Sequence, residues 1–414
     1  MNKTEGKRPL PYAWLIALAC FCVQGGGLGI VQNCRGLFFH SLTEEFSAPL
    51  SAFTGPLAVF GLASMAAMPL VARCLERSPI RRLMGVSAVA ICLAELAQAF
   101  FTAPWQWYAA SAVQGVCYSF LVPLTLPLLV KNWFQKGRGF VLGLVGTASG
   151  FVGAGANFVV SRILAAYGWR AGYLFLAAAL TVLTVPFCCF VVRLAPADAP
   201  ERKLAPASGR DTASSDALRR ALRGPVFWRM LAFAALAGFL SCVNQLMAEV
   251  GLDAGFSTEQ AGNLTVVAML GSIAGKLLLG LAHDRLHARR ALLLGTGLVA
   301  LGFALLLTGR VAGLYTGAAL LGVPMAITIV LLPAWTLEVF GENGYARIYT
   351  YISLVMNCLA SFGYLILSGL LSWTGHYGSI FLFGLGCCAA MAILVLVVSP
   401  RAGAKQASEG RNMP

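Results

Sequence analysis

Charged side chains are scarce in this chain. Only 11% of its 414 residues are Asp, Glu, Lys or Arg, whereas 58% are hydrophobic, and the mean hydropathy is +0.77. Soluble globular domains carry about 25% charged residues, so this composition excludes a soluble protein of this length. It predicts a membrane protein whose main surroundings are the lipid bilayer.

The signatures of common catalytic and metal sites are also missing. The sequence has no His-Glu-x-x-His, no Gly-x-Ser-x-Gly and no pairing of its twelve cysteines with histidine at metal-site spacing. The stretch Gly271–Lys276 looks like a phosphate-binding loop, but it has three residues between its glycines instead of four, and Leu277 stands where Ser or Thr should bind magnesium. We therefore expect no enzymatic activity, no cofactor and no bound metal.

Long apolar runs recur along the whole chain. Twelve of them are long enough to cross a hydrocarbon core of about 30 Å as helices. The first run is too long for a secretory signal and lacks a small-residue cleavage site, so we count it as a helix. The sequence predicts an all-α membrane protein whose twelve transmembrane helices lie near residues 12–38, 51–72, 83–102, 106–130, 140–164, 171–193, 228–249, 261–281, 291–309, 313–337, 348–371 and 379–399.

The formal net charge is +14, but the basic residues are not gathered into one stripe that could bind nucleic acid. Of the 30 Lys and Arg, 25 fall in the two tails and in alternate loops. An excess of Lys and Arg in alternate loops marks the cytoplasmic side of a membrane protein. We therefore expect a multi-pass protein of a bacterial inner membrane, with both termini cytoplasmic and no nucleic-acid partner.

An internal repeat divides the chain. Between helices six and seven the composition changes abruptly to Pro, Ala, Ser and charged residues, as in a linker. On either side of it, residues 72–82 match residues 280–290 at an offset of 208, with an acidic-basic pair and two further basic residues at the same spacing. We predict an N-terminal six-helix bundle at 1–193, a cytoplasmic linker at 194–227, a C-terminal six-helix bundle at 228–400 and a cytoplasmic tail at 401–414.

The repeated segment resembles the cytoplasmic loop signature of the major facilitator superfamily, which reads Gly, three residues, Asp, Arg, any residue, Gly, any residue, Arg, Arg. In the second copy only the inner glycine is replaced, by His287, whereas Ala72, Glu76 and Pro79 depart from the signature in the first copy. The resemblance covers essentially the whole chain and implies two pseudo-symmetric bundles that rock about a midplane site. It also implies a gating role, rather than substrate contact, for Glu76, Arg77, Arg81, Asp284, Arg285 and Arg289, although plain cytoplasmic charges are the alternative.

Three stretches narrow the resemblance to the monocarboxylate transporters and the oxalate:formate antiporter group. They are residues 132–139, the helix-five glycines from Gly143 to Gly155, and residues 168–173. The resemblance implies a monomer that moves a small organic anion, most simply a monocarboxylate, by alternating access, either as proton symport or in exchange for a counter-anion. Proton-coupled efflux of drugs or other small molecules is the alternative, but Phe151 stands where the drug-exporter signature has proline.

Lys276 is the first candidate for contact with substrate. It lies inside the apolar run 261–281, where a cation is costly unless it faces a cavity or a partner. Related carriers place an arginine there that binds the substrate carboxylate. Helical spacing puts Thr265, Met269 and Ser272 near the same face as Lys276. Alternatively, Lys276 snorkels to the cytoplasmic surface, which is about 8 Å away at 1.5 Å per residue.

Four further polar residues are candidates. Arg35, near the predicted outer end of helix one, could gather the anion at the outer mouth or anchor the helix at the interface. Glu95 is an acid well inside an apolar helix, so it could carry a proton or pair with a neighbouring helix. Gln245 and Asn357 are expected to line the cavity or to bond between helices. Helix eleven lacks the second cation of the oxalate:formate antiporter pattern, so one buried positive charge favours a monocarboxylate over a dianion.

Overall fold

The structure is a computed structural model that describes residues 10–134, 138–194 and 219–397. Every regular element within these ranges is a helix. Residues 195–218 of the predicted linker, the predicted tail 401–414 and the N-terminal residues 1–9 lie outside the described residues. The cytoplasmic placement of both termini therefore stays a prediction.

The described residues form twelve membrane-spanning helices in chain order. We number them α1 (Tyr12–Phe46), α2 (Ser51–Arg77), α3 (Ile80–Gln98), α4 (105–133), α5 (138–167), α6 (169–191), α7 (Pro225–Asp253), α8 (258–286), α9 (288–306), α10 (Val311–Phe340), α11 (Glu342–Thr374) and α12 (Tyr377–Val397).

Two pairs of these helices follow each other without a loop. Nine helical stretches of the described chain are long and apolar enough to cross a membrane, and two of them have 51 and 49 residues, about twice what a bilayer requires. Each of the two contains one non-helical residue, Gly168 with φ 78° and His287 with φ 66°. Leu279 lies against the Gly295 backbone across the second break, so α8 and α9 pack side by side. The two broken stretches count as two helices each, which raises the nine to eleven. The remaining helix is α3, which carries three charged residues and is not among the nine. The predicted number of twelve helices is thus confirmed.

The first helix is broken near its middle. A π-helical turn spans Gly25–Ile30, and a 3-10 turn follows at Arg35–Phe38. The glycines let α1 approach α5 closely, because a Cβ at Gly29 would lie 2.9 Å from the Ser149 carbonyl oxygen. Discontinuous helices of this kind expose backbone and polar side chains near the bilayer midplane in carriers.

The two bundles meet where α5 packs on α8 and α2 packs on α11. Five polar contacts between described residues join the bundles, and none of them lies beyond Lys276 toward the repeated loops. We call the end that carries His40 and Glu249 the closed end, and the end that carries residues 72–82 and 280–290 the motif end. The contacts are Gln245 Nε2 to Gln32 O (2.9 Å), His40 Nδ1 to Glu249 Oε2 (3.8 Å), Thr54 Oγ1 to Ser368 Oγ (3.2 Å), Asn157 Nδ2 to Met269 Sδ (3.4 Å) and Lys276 Nζ to Gly146 O (3.3 Å).

Candidate substrate and coupling site

Lys276 is a buried cation at the contact between the bundles. Its side chain is only 7% exposed, and its Nζ donates a hydrogen bond to the Gly146 carbonyl of α5 at 3.3 Å. No ion pair joins it to a carboxylate among the described residues. One neutral carbonyl cannot balance a desolvated ammonium group, so this position is suited to an anion.

Thr265, Met269 and Ser272, which share a face of α8 with Lys276, are all at most 3% exposed. This face packs on α5 in antiparallel fashion, with Met269 beside Asn157 and Lys276 beside Gly146. The Thr265 hydroxyl has no hydrogen-bond partner among the described residues. The contact between the bundles is therefore lined with polar groups and is not a purely apolar seam.

The helix-five glycines serve different purposes along this contact. A Cβ at Gly150 would lie 2.6 Å from Ile273, and one at Gly153 would lie 3.0 Å from the Met269 sulfur, so these two positions allow close packing. A Cβ at Gly143 or Gly146 would meet nothing within 4 Å. Close helix packing thus accounts for only part of the glycine pattern.

Arg35 points into the first bundle. Its Nε donates to the Val31 carbonyl at 2.8 Å, its Nη1 donates to Ser111 Oγ at 3.0 Å, and its Nη2 donates to Gln114 Oε1. The guanidinium also lies 5.4 Å from the centre of the Phe60 ring. Each guanidinium nitrogen therefore has a partner inside the protein.

The predicted end of helix one at residue 38 was wrong. The helix continues to Phe46, because Phe39 and Leu42 bury an apolar face while the polar residues of the last two turns stay outside. Arg35 consequently lies well inside the protein, with 8% of its surface exposed. It is not an anchor at the membrane surface.

Glu95 is joined to Arg35 through Gln114. The Gln114 Nε2 donates to Glu95 Oε2 at 2.6 Å, and Gln98 Nε2 donates to the same oxygen at 3.1 Å, as expected for residues one turn apart. Gln114 is fully buried, and both ends of its amide are fixed by charged neighbours. Arg35 and Gln98 also line a cavity of about 10 Å³, which is room for about one water molecule.

Gln245 and Asn357 lie in different surroundings. Gln245 is buried at the closed end, where its Nε2 donates to the Gln32 carbonyl and its Oε1 has no partner among the described residues. Asn357 is exposed on α11, one turn from Ser361, which lies against Gly61 of α2. The Asn357 side chain donates to the Ser353 carbonyl of its own helix at 2.8 Å. No hydrogen bond or ion pair among the described residues joins either residue to Lys276.

Glu249 is a buried acid that was not predicted from the sequence. This acid is 8% exposed and lies opposite His40 of α1 at the closed end, with its Oε1 unpartnered among the described residues. His40 also approaches Glu44, one turn along α1, at 3.3 Å. In the sequence Glu249 stands at the end of an apolar run and looks interfacial. In the fold it lies at the contact between α1 and α7, opposite His40.

The repeated loops are tied to the helices of their own bundle. Arg81 Nε donates to the Cys189 carbonyl at the end of α6, and Arg289 Nη2 donates to the Leu396 carbonyl at the end of α12 at 2.8 Å. Asp284 is exposed and lies 3.6 Å from His283. Arg285 is exposed as well. The side chains of Glu76 and Arg77 lie outside the described residues.

Comparison with known proteins places the chain in a family. The sequence matches the description Major Facilitator Superfamily over residues 25–257 and 240–412. The chain belongs to the major facilitator superfamily. It is therefore a secondary transporter and not an enzyme, and its fold is the superfamily's pair of six-helix bundles.

Individual members of the superfamily resemble the chain at modest identity. The uncharacterized transporter YhjX of Escherichia coli is 25% identical over 354 residues, which cover 82% of this chain and 84% of YhjX. A gallate transporter of Pseudomonas putida is 23% identical over 315 residues, which cover 69% of each protein. The crystal structure of the nucleoside transporter NupG superposes with a TM-score of 0.74 at 12% identity and covers 92% of this chain and 99% of NupG, which supports the fold alone.

The fold also explains the inner glycine of the superfamily's loop signature. In the second bundle that position is His287, whose φ of 66° and ψ of 161° are accessible almost only to glycine. In the first bundle the chain turns differently, with Ser78 and Pro79 both extended and with φ of −124° and −60°. The signature position therefore calls for glycine because its backbone has a positive φ. In the second bundle His287 adopts this conformation with strain, whereas the turn of the first bundle has no positive φ at this position.

Proposed function

We propose that the protein transports a small monocarboxylate by alternating access, with Lys276 as the countercharge for the substrate. The observation that carries the proposal is the burial of Lys276 without an acidic partner among the described residues, at the contact between the bundles. A buried unpaired charge is costly, and a bound carboxylate would remove most of that cost. A lysine supplies charge without the bidentate fork of arginine, so we expect loose geometric selection among small anions.

The charge count favours one carboxylate over two. Arg35 is the second buried cation, but Gln114 links it to Glu95, whose negative charge offsets it. Among the described residues, Lys276 is then the one buried cation without a compensating acid. We assign this charge to the substrate. The relative named for gallate, which is itself a carboxylate, is in line with this choice.

Coupling to a proton would use Glu95. This acid is buried and bonded to Gln114 and Gln98, so the binding or release of a proton there would change the charge of the first bundle during transport. The small cavity beside Arg35 and Gln98 would let one water reach the network. Exchange against another anion would instead leave Glu95 ionised throughout. A pH gradient separates the two modes.

The decisive experiment is uptake of labelled lactate, pyruvate and formate into proteoliposomes, with and without an inward proton gradient. Lys276→Gln should abolish uptake, and Lys276→Arg should retain part of it. Arg162→Gln, which removes an exposed cation from α5, is the matched control and should behave as the native protein. Normal uptake in Lys276→Gln, or stronger competition by oxalate or succinate than by the monocarboxylates, would overturn the proposal.

We further propose that the repeated loops govern the conformational equilibrium. Asp284 is exposed at the motif end, about 12 Å along α8 from Lys276 at 1.5 Å per residue. Asp284→Asn should therefore slow transport while substrate still binds in detergent. Glu259→Gln removes an exposed acid from the opposite end of α8 and should leave the rate unchanged. Loss of binding in Asp284→Asn, with an unchanged conformational distribution, would contradict a gating role.

A further inference from the structure

A groove with a volume of about 750 Å³ runs along the outside of the first bundle, between α3 and α6. Apart from Cys189 of α6, its lining residues all lie on α3, and they include Arg81, Arg82, Gly85, Val89 and Leu93. The walls face the membrane, because Leu93 is 59% exposed on a membrane-spanning helix. The groove is therefore open to lipid and is separate from the contact between the bundles.

Its polarity is graded along α3. The two arginines lie at the motif end, and the lining residues from Gly85 to Leu93 are apolar. From residue 81 to residue 93 the helix rises about 18 Å at 1.5 Å per residue. Half of a hydrocarbon core of about 30 Å is about 15 Å, so the groove spans one leaflet with its basic end at the membrane surface.

The basic end is fixed in place. Arg81 donates its Nε to the Cys189 carbonyl, which orients the rest of its guanidinium at the head of the groove. Arg82 is exposed beside it, and no ion pair ties either arginine to a carboxylate of the described residues. Two adjacent guanidinium groups at a membrane surface form a site for a phosphate group.

The depth of the groove depends on Gly85. A Cβ at this position would lie 3.3 Å from the Cys189 sulfur, so any larger side chain would fill the floor between α3 and α6. The equivalent position of the second bundle, 208 residues later, is Leu293. The repeated arginines are present there as Arg289 and Arg290. The second bundle therefore has the same two charges but lacks the glycine, so it serves as an internal control.

We propose that this groove binds one anionic phospholipid, with its phosphate on Arg81 and Arg82 and an acyl chain along Gly85, Val89 and Leu93. The predicted cytoplasmic leaflet is the one that attracts basic residues through anionic lipids. A free phosphate ion would satisfy the arginines but would leave the apolar floor uncovered, so the lipid is the better match.

The test is native mass spectrometry of the full chain in detergent with added phosphatidylglycerol, compared with phosphatidylcholine of the same acyl chains. We expect one phosphatidylglycerol to bind more tightly than phosphatidylcholine. Arg82→Gln should weaken it about fivefold, which corresponds to about 1 kcal/mol for one arginine at the membrane surface. Val89→Trp, which fills the groove without changing charge, should weaken binding as well.

Arg290→Gln is the matched control, and it should leave phosphatidylglycerol binding unchanged. Arg82 is exposed and Arg81 keeps its bond to α6, so the fold of Arg82→Gln should persist, as its unfolding temperature without lipid will check. Equal weakening by Arg82→Gln and Arg290→Gln would overturn the proposal. So would equal binding of the two lipids, unchanged binding in Val89→Trp, or displacement of the lipid by millimolar inorganic phosphate.

Discussion

Replacing His287 by glycine should stabilise the folded protein. The backbone of His287 has φ 66° and ψ 161°, a region that costs a residue with a Cβ about 1–3 kcal/mol. Glycine removes this strain but gains freedom in the unfolded chain, which costs about 0.5–1 kcal/mol. The imidazole is exposed, so little packing is lost. We expect a net gain of about 1 kcal/mol in the free energy of unfolding.

The measurement is thermal unfolding of the full chain in detergent, with two controls. His287→Ala keeps a Cβ and therefore the strain, and it should give no gain. Pro79→Gly alters the equivalent position of the first bundle, where φ is already −60°, and it should lower stability because the proline favours the start of α3. An equal gain in His287→Ala would assign the effect to the imidazole, and no gain in His287→Gly would show that the turn is not strained.

Two further predictions concern buried contacts. Gln114 makes two hydrogen bonds to charged groups, each worth about 1.5–3 kcal/mol, so Gln114→Leu should lower the free energy of unfolding by about 3–6 kcal/mol and Gln98→Leu, with one bond, by about half. The average hydrogen bond between membrane helices contributes about 0.6 kcal/mol. If both variants lowered the free energy of unfolding by only about this amount, Gln114 would not bridge the charges of Arg35 and Glu95. A Cβ at Gly36 would lie 2.1 Å from the Gln245 carbonyl oxygen, so Gly36→Ala should open the closed end and speed hydrogen exchange in residues 242–253. Gly155→Ala, whose Cβ meets nothing within 4 Å, should not, and equal exchange in both would refute a closing contact.

The membrane-spanning helices could be predicted from sequence because bilayer thickness sets their length and composition. The break between α8 and α9 was also foreseeable, since the loop signature marks it. The backbone conformation of His287 was not foreseeable, because φ 66° with ψ 161° lies in a region accessible almost only to glycine.

The polar networks could not be predicted in the same way. Arg35 and Gln114 are 79 residues apart, and nothing local to either residue indicates that they meet. Glu249 likewise meets His40, which comes from the other bundle. The sequence identifies such residues as polar groups in apolar runs, but their partners depend on how the helices pack.

The hydrogen bonds that Arg81 and Arg289 donate to backbone carbonyls allow the two bundles to be compared. In each bundle the arginine bonds the start of the third helix to a carbonyl near the end of the sixth helix. The turns that precede these third helices nevertheless differ in backbone conformation. The two bundles thus share the arginine-to-carbonyl hydrogen bond although their turns differ in backbone conformation. Exchanging residues 78–80 for residues 286–288 should accordingly be tolerated better than the loss of either arginine.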